Sequence, residues 1–526
     1  MQIKRLRIDD HLCLVDFEIN FQTIDGGSST ILIGENGTGK STMIDTVLEI
    51  LMSFDIPFIE ASISYNYEIE YDYAQTTYTI TKDGHRYRIK FNDTVIEGRY
   101  RTIRKKLKGV RFFSQRVIAF YSGANNKIAR KINHQTHVYV SKCKYVLRNY
   151  LLSINDDFVG EIPSFPKRKY NYCDEELTPI YLTSMLIGEA SFEKEYLQKA
   201  CHFSSVDLID VSINLDEVEQ LFGNQKFNDD YPTNLYTIID FIDHRFTDTF
   251  RRGFMYASVG KGYFELKGLD EIGVDAIAVL EFFEKLHSLF KAKYEVSVSI
   301  GNNSVKVSNM SEGQRQLIKI LGMLGICKSE DCLVLMDEPD AHMNPAWKYE
   351  IKETIDKSLL EATNTQAIIA THDPLVINGV PKEFIRIFTY NQSLISNNGF
   401  YFTKVITPDE DTEGLGIDGL LQSEYYRLKT SYDKKTSDKF IRRQELYSKL
   451  INGNIEEEEK EELRTLTKEI GLLPVSYNSI DFLYDDFIKV FKNSELFSKE
   501  YLSYDEILHR RERIKEIIKA LYEGQI

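Results

Sequence analysis

Residues 29–48 decide the fold: Ser29-Thr30-Ile31-Leu32-Ile33, then Gly34-Glu35-Asn36-Gly37-Thr38-Gly39-Lys40-Ser41, then Thr42-Met43-Ile44-Asp45-Thr46-Val47-Leu48. The first run reads as a buried strand and the last as a helix. The middle run fills every fixed position of G-x-x-x-x-G-K-[ST]. Glycines there let backbone N–H groups converge on phosphate oxygens, and the helix start adds favourable partial charge. Gly34, Asn36, Gly37, Thr38, Gly39, Lys40, Ser41 and Thr42 are therefore the candidate phosphate-binding residues, with the Ser41 hydroxyl free to join Mg²⁺.

A second apolar run, Leu333-Val334-Leu335-Met336, ends in Asp337-Glu338-Pro339. An Asp at the end of such a strand can hold Mg²⁺ through water, and the adjacent Glu can polarise an attacking water. A third run, Gln366-Ala367-Ile368-Ile369-Ala370, ends in Thr371-His372-Asp373. Ligands of open α/β sheets gather at the carboxyl ends of strands, so His372 is expected beside the same phosphate. Between these comes Ser311-Glu312-Gly313-Gln314, where Ser311 and Gln314 have capping-box spacing. Leu317, Ile318, Leu321 and Leu324 give the following helix a buried face.

Motifs in this order resemble those of ABC-type ATPases, the class of Rad50, SMC and RecF proteins and of transporter nucleotide domains. The compact ABC-type ATPases of bacterial antiphage and restriction-associated systems, the Septu ATPase group among them, are the nearest likeness. It rests on residues 33–40, 337–340 and 371–374, a short insert, and the tail after Gly416-Ile417-Asp418-Gly419. The resemblance implies an α/β fold: an ABC-type P-loop ATPase head of mixed sheet plus antiparallel β lobe, with an inserted helical domain and a helical C-terminal region. It implies ATP and Mg²⁺ as cofactors, Ser41 and Asp337 at the metal, Glu338 as catalytic base and His372 as γ-phosphate sensor. Ser311, Gly313 and Gln314 are then expected to contact ATP held by a second copy. It also implies self-association and a partner effector, an HNH nuclease. Two alternatives stay open: a RecF- or SMC-like DNA-repair ATPase acting directly on DNA, and an OLD-like nuclease with its own cutting site. Asp409-Glu410-Asp411 is the only D-x-D after His372 to serve the latter. Departures are Glu312 within the signature and Asn344 in the turn after Asp340, where an Asp or His is usual. Gln115 and the Tyr121-Ser122-Gly123 turn compete for the Q-loop position.

The chain of 526 residues has room for several compact units. The expected division is an N-terminal ATPase lobe at 1–134, a mainly helical insertion at 135–292, a second ATPase lobe at 293–408 and a helical docking or lid region at 409–526. Tyr65, Tyr67, Ile69, Tyr71 and Tyr73 alternate with polar residues before an Asp83-Gly84 turn, which predicts an antiparallel meander. The hairpin-like stretch 294–307 is expected to lead back to the ATPase sheet. The insert is too short for a Rad50-type arm and lacks sustained heptads. Residues 504–521 read as an amphipathic terminal helix.

Net charge is −15, yet no Asp or Glu occurs from Gly98 to Asn155 while 14 Lys and Arg do. Segment 99–148 is thus a candidate for DNA or RNA contact, for an acidic partner, or for the acidic run 456–462 of another copy. Six scattered Cys without a C-x-x-C pair fit a reduced compartment. No signal-peptide pattern or apolar run of membrane-spanning length appears. The expectation is a cytoplasmic protein without membrane contact.

Overall fold

The computed structural model describes residues 1–471 except 24–26, 56–62, 108–112, 114–115, 123–126, 155–160, 162–163, 174, 188–190, 223–230, 259–260, 270–272, 328–330, 361, 363–364, 396–400, 429–431 and 452–453. Gln115 and the terminal-helix expectation at 504–521 lie outside the described residues.

Seven strands form the central sheet, in the order Tyr401–Ile406, Ile385–Ile395, Ser28–Gly34, Gln366–Ala370, Cys332–Asp337, Arg116–Tyr121 and Tyr170–Tyr172. All neighbours are parallel except the first pair, so the sheet is mixed. Both faces are covered, and alternate residues serve different cores. Ile31, Ile33, Val334, Met336 and Ile369 face one core with the helices Glu312–Ile326 and Pro345–Leu360. Leu32, Leu333, Leu335 and Ile368 face the other, with the phosphate-loop helix Lys40–Asp55.

That second core is closed by a six-stranded antiparallel sheet, ordered Leu14–Asn20, Gln2–His11, Tyr67–Tyr73, Thr76–Asp83, Arg86–Phe91, Thr94–Arg99. Tyr65, Tyr67, Tyr71 and Tyr73 are all buried in it, so the tyrosine stripe packs. The strand pairing across the Asp83-Gly84 turn follows the meander that alternation predicted.

The insertion differs from its mainly helical expectation. Its helices, including Lys127–Ile154, Thr178–Ile187 and Ala276–Phe290, pack with a five-stranded antiparallel sheet. The order is Phe254–Ser258, Lys261–Leu266, Phe203–Asn214, Lys293–Ile300, Asn303–Lys306. The hairpin at 293–306 therefore belongs to the insertion: Val296 registers with Ile209 and Tyr294 with Val211. The alternation of Ile209, Val211 and Ile213 with Asp210, Ser212 and Asn214 carries this strand, and each of those three apolar side chains is fully buried. Conversely, Tyr170–Tyr172 leaves the insertion to edge the central sheet.

Among the described residues, 1–420 with 424–426 form one compact unit and 421–423 with 427–471 form a second, so the compact units divide beyond the expected 409. Within the second unit, helices Lys434–Ile451 and Glu457–Gly471 pair side by side. Leu446 and Leu463 are buried, and Arg442 binds both oxygens of Glu462 at 2.9 Å. Lys439 meets Glu469 at 2.6 Å and Lys449 meets Glu459. Part of the acidic run is thus engaged within its own hairpin.

Candidate nucleotide site

Register sets the site. Asp337 lies opposite both Ala370 and Tyr121, and Ala370 lies opposite Leu32. The residues just past four parallel strands therefore meet at one edge: the phosphate loop, His372, Glu338 and Ser122.

The phosphate loop is shaped by side chains as well as by glycines. Gly34 has φ +142°, and a Cβ there would lie 2.1 Å from the Phe388 carbonyl oxygen. At Gly39 (φ +98°) a Cβ would meet Thr403 Oγ1 at 2.7 Å and Cys13 Sγ at 2.8 Å. These are positions only glycine fills without displacement. Tyr390 Oη donates to the Asn36 carbonyl at 2.9 Å, and Thr403 Oγ1 donates to the Thr38 carbonyl at 2.7 Å. Thr38 Oγ1 donates to the Glu35 carbonyl at 2.8 Å. Lys40 Nζ donates to the Gly34 and Glu35 carbonyls at 2.7 and 3.0 Å. Burial, opposed by Asp337 and Glu338, brings the Lys40 amine down to about 8. An anion in the loop restores the charged amine by supplying the counter-charge that burial removed. Ser41 and Thr42 start the helix, the first exposed and the second half-buried.

Asp337 is 2 % exposed. Its Oδ2 has no hydrogen-bond partner, while the Ser41 side chain hydrogen-bonds the carboxylate. Burial pushes this carboxyl up to about 6, with Glu338 adding to the rise and Ser41 opposing it. An orphaned carboxylate oxygen beside a hydroxyl fits Mg²⁺, which asks for one or two protein oxygens plus phosphates and water. No cluster of three or more His, Cys, Asp or Glu suited to a metal occurs among the described residues; Ser41 and Asp337 are the side chains here that could join a Mg²⁺ alongside phosphates and water.

The raised value has a stability consequence. An acid whose folded pKa exceeds its unfolded one loses stability as pH rises from about 4 to about 6, and the loss persists above. Asp337→Asn is expected to be more stable than the parent at pH 7.5 without ligand, by up to about 3 kcal/mol. The gap should close below pH 4, and the variant should lose Mg²⁺-dependent stabilisation by ATP. Urea unfolding at both pH values checks this; an equal gap at both would remove burial of the charge as its cause.

Glu338 follows in a left-handed conformation, φ +53°, with its N–H donating to the Ala370 carbonyl at 2.8 Å. Its half-exposed carboxylate lies 3.3 Å from His372 Nε2, and His372 Nδ1 is 3.5 Å from Lys40 Nζ. Burial and then Lys40 lower the His372 pKa. Lys40, Ser41, Asp337, Glu338 and His372 are thus gathered in one chain.

Ser311, Gly313 and Gln314 stand elsewhere. Ser311 Oγ accepts from the Gln314 N–H at 3.3 Å and Gln314 Oε1 accepts from the Ser311 N–H at 3.0 Å, completing the capping box. Ser311 and Glu312 are exposed. A Cβ on Gly313 would sit 2.6 Å from the His342 carbonyl oxygen, and Gln316 Nε2 donates to the Pro339 carbonyl at 2.9 Å. The capped helix start is thereby fastened to the turn after Glu338. Asn344 caps the next helix through the Trp347 N–H at 2.9 Å.

The structure gives three hydroxyls roles that the sequence alone does not assign. Tyr390 and Thr403 come from strands far along the chain. Ser122, previously one of two Q-loop candidates, donates to the Glu338 carbonyl at 2.6 Å. No local pattern announces such donors. Asp409-Glu410-Asp411 is engaged in turn structure: Asp411 accepts from the Lys382 N–H at 2.9 Å, and the N–H groups of Asp409 and Glu410 bind Glu424.

The basic segment divides in two. Arg116 is buried against Glu281, Lys131 pairs with Glu49 at 2.6 Å, and Lys144 pairs with Glu217 at 3.1 Å. Arg99, Arg101, Arg104, Lys105, Lys106, Arg130, Lys142 and Arg148 are exposed. Arg99 registers directly with Arg86, and both line an open groove of about 610 Å³ with Arg88, Asp83 and Glu97, where Arg88 pairs with Glu97 at 3.0 Å. Among the described residues no helix is long and apolar enough to cross a membrane.

A family model described as "AAA domain, putative AbiEii toxin, Type IV TA system" matches residues 227–378, which include the signature, Asp337-Glu338 and His372. The Septu protein PtuA of Bacillus mycoides (strain KBAB4) is 24% identical over 251 residues, 44% of this chain and 31% of that protein. Protein ea59 of Escherichia phage lambda is 32% identical over 122 residues, 23% of this chain and 21% of that one. The Retron Vc95 probable ATPase of Vibrio cholerae serotype O1 biovar El Tor is 26% identical over 124 residues, 21% and 24% of the two chains. The chain thus spans less than a third of the length of the curated relatives it matches. Among solved structures, the SMC head domain from Thermotoga maritima aligns with 78% of this chain and all of its own, at 13% identity and a TM-score of 0.33. The SmcHead bound to the C-winged helix domain of ScpA aligns at 12% identity and 0.34, covering 78% and 98%. At those scores the superpositions are loose, and the fold stands on its own strand order. The motif order, the strand order and the convergence at one sheet edge support an ABC-type P-loop ATPase fold, and the chain is similar over part of its length to Septu PtuA and to a retron ATPase.

Proposed function

We propose that the chain binds ATP with Mg²⁺, hydrolyses it at a site completed by a second copy, and uses that cycle to control a partner effector. The convergence of Lys40, Ser41, Asp337, Glu338 and His372 at one sheet edge carries the proposal. Water attacks the γ-phosphorus in line with the β–γ bridging oxygen, which departs with ADP; Glu338 takes the water proton. Lys40 and His372 face the charge that spreads over the γ-oxygens. Bound Mg²⁺ would neutralise β- and γ-oxygens from the Ser41 and Asp337 side.

Support for the second copy comes from Ser311. Ser311 and Glu312 at the capped helix start are exposed, and no hydrogen bond joins that start to its own phosphate loop among the described residues. A facing copy would offer this helix start and the Ser311 hydroxyl to the γ-phosphate. Relatedness to Septu PtuA supports an effector outside this chain, an HNH nuclease by the resemblance stated above. The structural engagement of Asp409-Glu410-Asp411 argues against a cutting site there. The exposed cations around Arg86 and Arg99 support nucleic-acid contact by the ATPase lobe.

The test has two parts. Light scattering should show the mass rising to a dimer or higher multiple with ATP and Mg²⁺ and not with ADP. Copurification with genomic neighbours, before and after nuclease treatment, should recover the effector. A monomer under all nucleotide conditions defeats the shared site; metal-dependent DNA cutting by this chain alone defeats the separate effector.

A further inference from the structure

Apart from the glycines of the phosphate loop, Glu338 is the one residue among the described residues of the site whose backbone sits in a conformation that side-chain-bearing residues rarely adopt, φ +53°. A left-handed φ at a non-glycine position costs energy and persists only where neighbours hold it. The neighbours here come from both flanking strands. On one side the Glu338 N–H is taken by the Ala370 carbonyl at 2.8 Å. On the other, Ser122 makes two bonds: its N–H donates to the Asp337 carbonyl at 3.3 Å, and its Oγ donates to the Glu338 carbonyl at 2.6 Å. The Glu338 carbonyl also accepts from the Ala341 N–H at 3.2 Å, which closes the turn.

The Ser122 placement follows from register. Tyr121 is the last residue of its strand and lies opposite Asp337, so Ser122 stands beside Glu338. Five residues later begins the helix Lys127–Ile154. Lys131 on that helix binds Glu49 of the phosphate-loop helix at 2.6 Å and lies 3.9 Å from Asp45. Ser122 thus touches the carboxylate strand, and Lys131 touches the phosphate-loop helix.

We infer that Ser122 is a positioning residue for hydrolysis: its hydroxyl fixes the Glu338 peptide so that the carboxylate faces the water that attacks ATP. This rests on the reading of Glu338 as the base. Ser122 is assigned to act through the Glu338 peptide that its hydroxyl holds. Without its hydroxyl the Glu338 carbonyl keeps only the Ala341 bond, and the turn is free to relax toward ordinary φ values, which swings the carboxylate away from the line of attack. Small misplacements of a catalytic group are costly because alignment supplies much of the rate.

Ser122→Ala removes the hydroxyl and keeps the N–H bond. The full-length variant is expected to lose about tenfold in kcat, the scale of one well-placed hydrogen bond. KM for ATP should change less than twofold, and the thermal midpoint should match the parent. Ser122→Thr, which retains the hydroxyl, should regain the rate. In a Glu338→Gln background, Ser122→Ala should have no further effect on the residual rate, since its target is already absent. Parent-like kcat in Ser122→Ala, equal losses in affinity and thermal midpoint, or a full effect in the Glu338→Gln background each overturn the positioning role. Absence of hydrolysis by the parent under every nucleotide condition instead overturns the reading of the whole site.

Discussion

Glu338→Gln is expected to lower kcat for ATP by at least about a hundredfold, the usual worth of a positioned general base. Glutamine keeps the volume and backbone of glutamate but cannot take the water proton. The groups expected to hold the nucleotide are untouched: the loop carbonyls stay clamped by Tyr390, Thr403 and Lys40, and Asp337 keeps its Ser41 bond. The dissociation constant for ATP should therefore stay within about threefold. If ATP closes a dimer and hydrolysis opens it, as proposed above, the dimer should persist far longer in this variant. Phosphate release and the decay of the dimer peak after dilution measure the two effects. Unchanged turnover rejects Glu338 as base and turns attention to His372, 3.3 Å away.

Mixing two dead variants should restore activity. Ser311→Arg places a bulky cation at the capped helix start, so hydrolysis is expected to stop while that copy's own loop still binds ATP. Lys40→Ala removes the amine that fills the phosphate loop, so ATP binding itself is lost. In a heterodimer of the two, one composite site has Lys40 from one copy and Ser311 from the other. Random assortment at equal concentrations gives roughly a quarter of the parental rate, since half the dimers are mixed and each has one working site of two. Each variant alone should stay near background. No recovery on mixing, with both proteins folded and dimerising, would mean that each copy completes its own site.

The parts of the site legible in the sequence are those where one contiguous run carries both chemistry and its local structure. Residues 34–41 hold glycines, lysine and serine between a strand and a helix, and 337–338 end a strand. Ser311 and Gln314 bond each other across a single helical turn, which spacing alone can specify. What stayed hidden depends on pairing between distant segments. Thr403 reaches Thr38, and Tyr390 reaches Asn36, across more than 350 residues. Arg116 counted as one more cation in a basic stretch until the fold placed it against Glu281. The alternation at 293–306 announced a hairpin, yet alternation names no partner strand, and the partner proved to be 203–214. Charge runs were equally mute about their use, since Glu459 and Glu462 hold their own hairpin together.

The order in which the central sheet draws on the chain has a consequence for synthesis. Its strands come from near residues 28, 116, 170, 332, 366, 385 and 401, so the phosphate loop leaves the ribosome long before the hydroxyls that brace it. Closing such long separations is slow compared with forming local contacts. A nascent chain stopped anywhere before Tyr390 contains the whole phosphate-loop motif but neither brace. Such a chain lacks the bonds that hold the Asn36 and Thr38 carbonyls, so the loop is expected to take its final shape only once the ATPase unit is nearly complete.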